Sequence, residues 1–303
     1  MNILVGVAPD DAGDDALALA AVLTRLTGAR LVLAHVYPPP YEFPSLTAVD
    51  AEWRAFIEER AEAVVQRARE VLARDWNIDD ADTIVAAHTS RGRGLLALIE
   101  QVDARIVVIG PAPGGDKGHV SLGSISDRLL HGSSAAVALA PEGYRDTAPD
   151  DLERIVVGFR SGEESEQAIR TALRLAGDDD QPTVEILTLV LRPTRIVGAR
   201  TRKETEQAMV DLMTQRAEAD QRGCLDSLGQ PHLRARVVRG DTTGRALSRF
   251  DWHEGDLLCL ASSTDGPVHR VVLGDMTHKI LRNSDVPAVV LPRAFELRSE
   301  DAS

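Results

Sequence analysis

The sequence predicts an α/β protein made of two tandem open five-stranded parallel sheets with helices on both faces. Three observations predict it. Short apolar runs alternate with segments of helical periodicity along the 303 residues. That alternation implies parallel strands, because a strand that returns to pair in parallel needs a crossover, and here each crossover reads as a helix. The apolar runs hold few polar residues, as strands covered on both faces require. Finally, the order of elements is written twice, once in residues 1–142 and again in residues 152–293.

The first unit opens on the apolar run 3–7. An acidic turn leads to a helix carrying Leu17, Leu19, Ala20, Val22, Leu23 and Leu26, with Gly28 as its stop. A strand over 31–36 follows. A loop with Pro38, Pro39, Pro40 and Pro44 precedes a long helix over about 49–74, where Phe56, Ala63, Val64 and Val71 recur at helical spacing. A strand at 83–87, a helix at 94–102, a strand at 105–109, a helix at 124–130 and a strand at 136–140 complete the unit.

The second unit repeats these elements at 154–159, 165–175, 184–191, 203–228, 234–238, 244–249, 257–260, 275–281 and 288–291. Leu122, Gly123, Leu130, Ser133 and Pro141 match Leu273, Gly274, Leu281, Ser284 and Pro292, each offset by 151 residues. The polar stretch 142–151, with Pro149, reads as the linker.

Composition narrows the function. The net charge is −13, and acidic residues outnumber basic ones in both halves. A chain that binds nucleic acid must instead neutralise phosphates with Lys and Arg, so no nucleic-acid partner is expected. The start of the chain lacks a basic segment followed by a long apolar one, and no apolar run approaches the ~18 residues of a membrane span. A cytoplasmic protein with no membrane partner is expected. Cys224 and Cys259 form no metal or disulfide pattern, and Cys259 lies in an apolar run that reads as core.

The eight histidines show no metal-ligand spacing. Asp10, Asp11, Asp14 and Asp15 read as capping and first-turn charge on the first helix, and no metal is expected. Neither a G-x-S-x-G elbow nor a Gly-Lys-Ser/Thr phosphate loop occurs, and no residue set argues for a committed catalyst.

In an open α/β sheet, ligands settle outside the carboxyl ends of the strands, at the switch point. There the loop from Gly110 to Ser124 carries Gly114, Gly115, Gly118 and Gly123 between a strand and a helix. Glycines let backbone amides approach an anion, and a helix start offers free N–H groups. Ser124 can cap the helix or donate to a phosphate. His119 reads as a solvated loop residue that could touch a phosphate. Arg91 and Arg93, at the start of another helix, read as a helix-start loop or as an anion contact.

These features resemble the universal stress protein family, whose nucleotide-binding members carry G-x₂-G-x₉-G-(S/T) in this loop. Gly110, Gly123 and Ser124 fall on that spacing, while Pro113 takes the second glycine position, with Gly114 and Gly115 after it. The resemblance covers nearly the whole chain as two copies. It implies a Rossmann-like, adenine-nucleotide alpha hydrolase-like fold. It also implies ATP binding through Pro9, Asp10, Val36, Gly110, Pro113, Gly114, Gly123, Ser124 and Ile125.

Two departures matter. Where relatives place an Asp after the first strand, this chain has Ala8, with Asp10 two residues on. In the second half the same spacing gives Ala261, Thr264, Gly274 and Asp275, so no cofactor is expected there. Arg160 takes the adenosine-side position, and an Arg160–Asp275 pair closing the vacant pocket is expected. The family resemblance also implies pairing through the last strand. Here residues 136–140 and 288–291 could pair within one chain, as an internal pseudo-dimer, or between chains, as a homodimer.

Overall fold

The structure is a computed structural model that describes residues 1–39, 47–177, 182–192, 203–262, 274–292 and 295. The first half runs β1 (Asn2–Gly6), α1 (Asp11–Thr27), β2 (Arg30–Tyr37), α2 (Thr47–Trp76), β3 (Ala81–Ala87), α3 (Arg91–Gln101), β4 (Ala104–Ile109), α4 (Ser124–Leu130) and β5 (Ala136–Leu139). The second half runs β6 (Arg154–Gly158), α5 (Glu163–Ala176), β7 (Thr183–Leu191), α6 (Lys203–Ser227), β8 (Arg234–Gly240), α7 (Thr243–Leu247), β9 (Asp256–Ala261), α8 (Asp275–Leu281) and β10 (Ala288–Leu291). Each half thus contributes the five parallel strands that the sequence predicts.

The halves do not stay separate sheets. One ten-stranded sheet runs β3-β2-β1-β4-β5-β10-β9-β6-β7-β8. At its centre β5 and β10 pair antiparallel within the chain, with Ala288 opposite Leu139, Val289 opposite Ala138 and Val290 opposite Val137. Every other pairing between these strands is parallel. The physical reason is that β5 and β10 would each be an unpaired edge in an isolated half, and a short apolar edge is satisfied best by another edge.

Alternation of side chains fills two cores. Ile3, Val5, Leu31, Leu33, Ile106 and Val108 face α1 and α2. Leu4, Val32, Val107 and Ile109 face α3 and α4. Both cores continue across the seam into the second half. The buried face of α1 is rich in alanine (Ala16, Ala18, Ala20, Ala21), which lets the helix lie close to the sheet and touch α5. Cys259 is buried in the core, as its apolar run suggests.

Linker residues are more tightly held than their polarity suggests. Tyr144 is buried in a short 3-10 turn, Tyr144–Asp146. Asp15 of α1 is fully buried and accepts the N–H groups of Gly143 (2.8 Å) and Arg145 (3.0 Å). Its role is therefore to fix the linker, not to charge the first helical turn. Burial raises its carboxyl above the usual range, against the lowering effect of those two hydrogen bonds.

The second half holds a buried ionic group on β6, β7 and β9. Arg154 binds Asp256 through two contacts of 2.9 and 2.6 Å and Glu185 at 2.7 Å, and stacks over Phe250.

Replacing Asp15 by Asn tests the linker contact. The amide can accept only one of the two N–H bonds, and an orphaned buried donor costs about 1–3 kcal/mol. Urea unfolding of Asp15→Asn should show that loss; a midpoint equal to wild type would contradict the assignment.

Candidate functional site

The first half changes strand direction of travel between β1 and β4, since α1 leads from β1 to β2 on one side while β4 lies on the other. A cavity of about 190 Å³ opens there, outside the carboxyl ends of both strands. The wall from β1 to α1 comprises Val7, Ala8, Pro9, Asp10 and Ala12. His35 and Val36 end β2, and Arg91 begins α3. The opposite wall is Gly110, Pro111, Ala112, Pro113, then Gly123 to Ser126.

Eight of the nine sequence-predicted residues line this one cavity: Pro9, Asp10, Val36, Gly110, Pro113, Gly123, Ser124 and Ile125. Gly114 does not. It has a φ of +80° and faces open space, so it serves the turn that carries the loop away. His35, Arg91, Ala12, Pro111, Ala112 and Ser126 also line the cavity but were not among the nine. Arg91 had a signal, the basic helix start. Ala12 had none, because its position follows from how α1 lies over β4.

Two glycines are explained by packing before any ligand is considered. A Cβ on Gly110 would stand 1.8 Å from the carbonyl oxygen of Ala12, and one on Gly13 would stand 2.1 Å from that of Ala8. Glycine at these places lets β4, α1 and the β1 turn meet backbone to backbone. A Cβ on Gly123 would press on the Ala112 Cβ at 2.8 Å, which holds the two ends of the loop together.

The start of α4 differs from the sequence reading. Ser124 is not the cap. Gly123 occupies the cap position, and the Ser126 hydroxyl accepts from the Gly123 N–H (2.6 Å) and donates to its carbonyl (2.8 Å). Ser124 is left exposed at the cavity wall. Asp10 caps α1 by position, though its carboxylate makes no capping bond.

The neighbouring acidic residues diverge. Asp14 takes Arg67 in two contacts of 2.9 Å, and Asp11 takes Arg145 at 3.0 Å. Among the described residues no group of three His, Cys, Asp or Glu could hold a metal ion, and no helix is long and apolar enough to cross a membrane.

His35 places Nδ1 2.9 Å from the Val7 carbonyl, so this nitrogen carries the proton and donates. Burial lowers its pKa; the Val7 hydrogen bond opposes that and the Arg91 charge adds to it. The glycine loop itself reaches the second half. Val120 N–H donates to the Ser284 carbonyl at 3.0 Å, and His119 Nδ1 lies 2.7 Å from Asp285. His119 is therefore a contact to the other half and not a purely solvated loop residue.

The Arg160–Asp275 pair expected in the second half does not form. Asp275 is highly exposed and pairs with Lys279 one turn along α8, at 2.7 Å. Among the described residues no ion pair joins it to Arg160. The i,i+4 partner on its own helix competes better than an arginine on another strand. Asp275 is also not the cap, which is Gly274. Thr264 and Leu273 lie outside the described residues.

An open α/β sheet with a cavity at its switch point defines the Rossmann-like class of fold. A model of the Universal stress protein family matches residues 1–141 and again residues 152–292. Universal stress proteins of Mycobacterium tuberculosis and Mycobacterium bovis are each 31% identical to this chain over 293 residues, 96% of this chain and 100% of the relative. Among solved structures, a universal stress protein from Archaeoglobus fulgidus has a TM-score of 0.62 at 14% identity, covering 97% of this chain and 98% of that one. A putative universal stress protein from Pseudomonas aeruginosa has a TM-score of 0.59 at 14% identity, covering 97% and 94%. The chain belongs to the universal stress protein family, in tandem form.

His35 carries a stability prediction. A histidine whose folded pKa is depressed stays neutral while the unfolded chain binds a proton, so stability is present above pH ~6.5 and falls as pH drops below it. The urea midpoint of wild type should fall more between pH 7.5 and 5.5 than that of His35→Gln. Equal losses would contradict it. Gly110→Ala should separately cost about 1–3 kcal/mol or more, the overpacking range, since backbone is the clashing partner.

Proposed function

We propose that this is a cytoplasmic stress-response protein that binds or senses an adenine nucleotide through its first half, without acting as a committed catalyst. The carrying observation is the convergence of Pro9, Asp10, Val36, Gly110, Gly123 and Ser124 on one cavity at the switch point. That is where open α/β sheets hold nucleotides. Arg91 adds a cation and the Ser124 hydroxyl a donor suited to a phosphate. ATP is the ligand that the sequence motif suggests. The second half is a structural partner, with Asp275 standing where Ser124 stands in the first.

A second reading is an interaction scaffold that binds no nucleotide. Ala8 in place of an acidic residue, and Pro113 in place of a glycine, favour it. The two readings separate in a titration calorimeter. Adenine nucleotide should bind the purified chain, and Ser124→Asp, which copies the second half into the first, should weaken it at least a hundredfold. A carboxylate about 4 Å from a phosphate costs on the order of 4 kcal/mol at an effective dielectric near 20. No heat from any adenine nucleotide at millimolar concentration would leave the scaffold reading.

A further inference from the structure

We infer that the nucleotide this cavity takes is a nucleoside monophosphate, one phosphate and not a polyphosphate chain. The inference rests on the nucleotide-binding reading above and deepens it. It follows from counting what the loop has left to offer.

A phosphate chain is held by backbone N–H groups and cations that follow it oxygen by oxygen. Along the cavity wall, Pro111 and Pro113 have no N–H at all. The Ala112 N–H between them donates to the Ser121 carbonyl at 3.0 Å. The Gly123 N–H is engaged by Ser126. Thus three consecutive places, and a fourth at the far end of the loop, where a loop of this kind would present donors are closed by chemistry or already paired.

The middle of the loop is also drawn away from the cavity. Gly118 N–H donates to the Glu142 carbonyl at 2.8 Å, and Val120 N–H to that of Ser284. Lys117, the loop's one basic side chain apart from His119, pairs with Asp146 at 3.2 Å. His119 is held at Asp285. Gly114, the glycine nearest the motif position taken by Pro113, does not reach the cavity. What remains beside the ligand is Arg91, the Ser124 hydroxyl and the N–H groups of Ser124 and Ile125 in the first turn of α4, faced by the carboxylate of Asp10. One cation and the donors gathered at Ser124 and Ile125 match one phosphate. Further phosphates would extend towards Asp10 or towards solvent without partners.

The test titrates adenosine, AMP and ATP separately into wild type and into Pro113→Gly, with magnesium present so that the charges of ATP and AMP are comparable. Wild type should bind AMP at least tenfold more tightly than ATP, and more tightly than adenosine. Pro113→Gly restores an N–H at the motif position and should narrow the AMP-to-ATP ratio several-fold. ATP binding as tightly as AMP in wild type overturns the inference while leaving nucleotide binding intact. So does adenosine binding as tightly as AMP, or a ratio that Pro113→Gly leaves unmoved. If none of the three ligands binds wild type, the nucleotide reading itself has failed, and this inference with it.

Discussion

The antiparallel pairing of β5 with β10 governs the rest of the structure. All the remaining pairings between strands are parallel, so this is the one place where the direction of the sheet reverses. Without it, each half would end on a four-residue edge of small and branched apolar residues, Ala136–Leu139 and Ala288–Leu291. Such an edge is an invitation to pair with whatever chain is near. With it, every residue of both strands is buried, and the two cores become continuous across both halves. The alanines of β5 and α1 follow from this, because a central strand must admit a helix close above it while another helix, α5, approaches from the far side of the seam.

Reversal at the seam also decides what stands near the cavity. The carboxyl ends of β1 to β5 lie at the same edge of the sheet as the amino ends of β6 to β10. The turn that feeds β10, with Ser284 and Asp285, is therefore beside the loop that leaves β4. That loop is held on three sides: by the second half at Val120 and His119, by the linker at Gly118 and Lys117, and by its own helix at Gly123. The linker is in turn held by Asp15. The first-half cavity thus depends on contacts from both halves, even though the described residues of its wall all belong to the first half.

How much of this was legible in the sequence depends on range. Strands and helices were legible, because period and apolarity are local; α4, α8 and β10 occupy the residues expected. The cavity wall was mostly legible too, since the topology of an open sheet places strand ends together and a motif marks one of them. Four things were not.

Asp15 looked like any acidic residue in a first helical turn, and only burial against the linker makes it an acceptor. Arg154, Glu185 and Asp256 sit in three different strands, so their buried network has no sequence spacing to announce it. The expected Arg160–Asp275 pair does not form for the converse reason: Lys279 lies one turn along the same helix as Asp275, nearer than a charge on another strand. The open question of chain pairing was illegible in principle, because the same two edges satisfy each other equally well within a chain or between chains.

The asymmetry between the halves follows from the same seam. Because β10 seals β5 and its turn supports the loop at Val120, the second half is required by the first whatever its own strand ends contain. Its core, its register and its Ser284 must persist. The Ser133 and Ser284 hydroxyls each donate to the carbonyl two residues ahead, Ala135 and Val286, at 2.9 and 2.8 Å. These matched bonds, 151 residues apart, preserve the turns that meet at the seam. The positions at the strand ends of the second half carry no such duty. Asp275 can then take a neighbour on its own helix, and Arg160 can stand exposed, without cost to the sheet. Duplication here fixes the frame at the seam and leaves the chemistry at the strand ends free to differ.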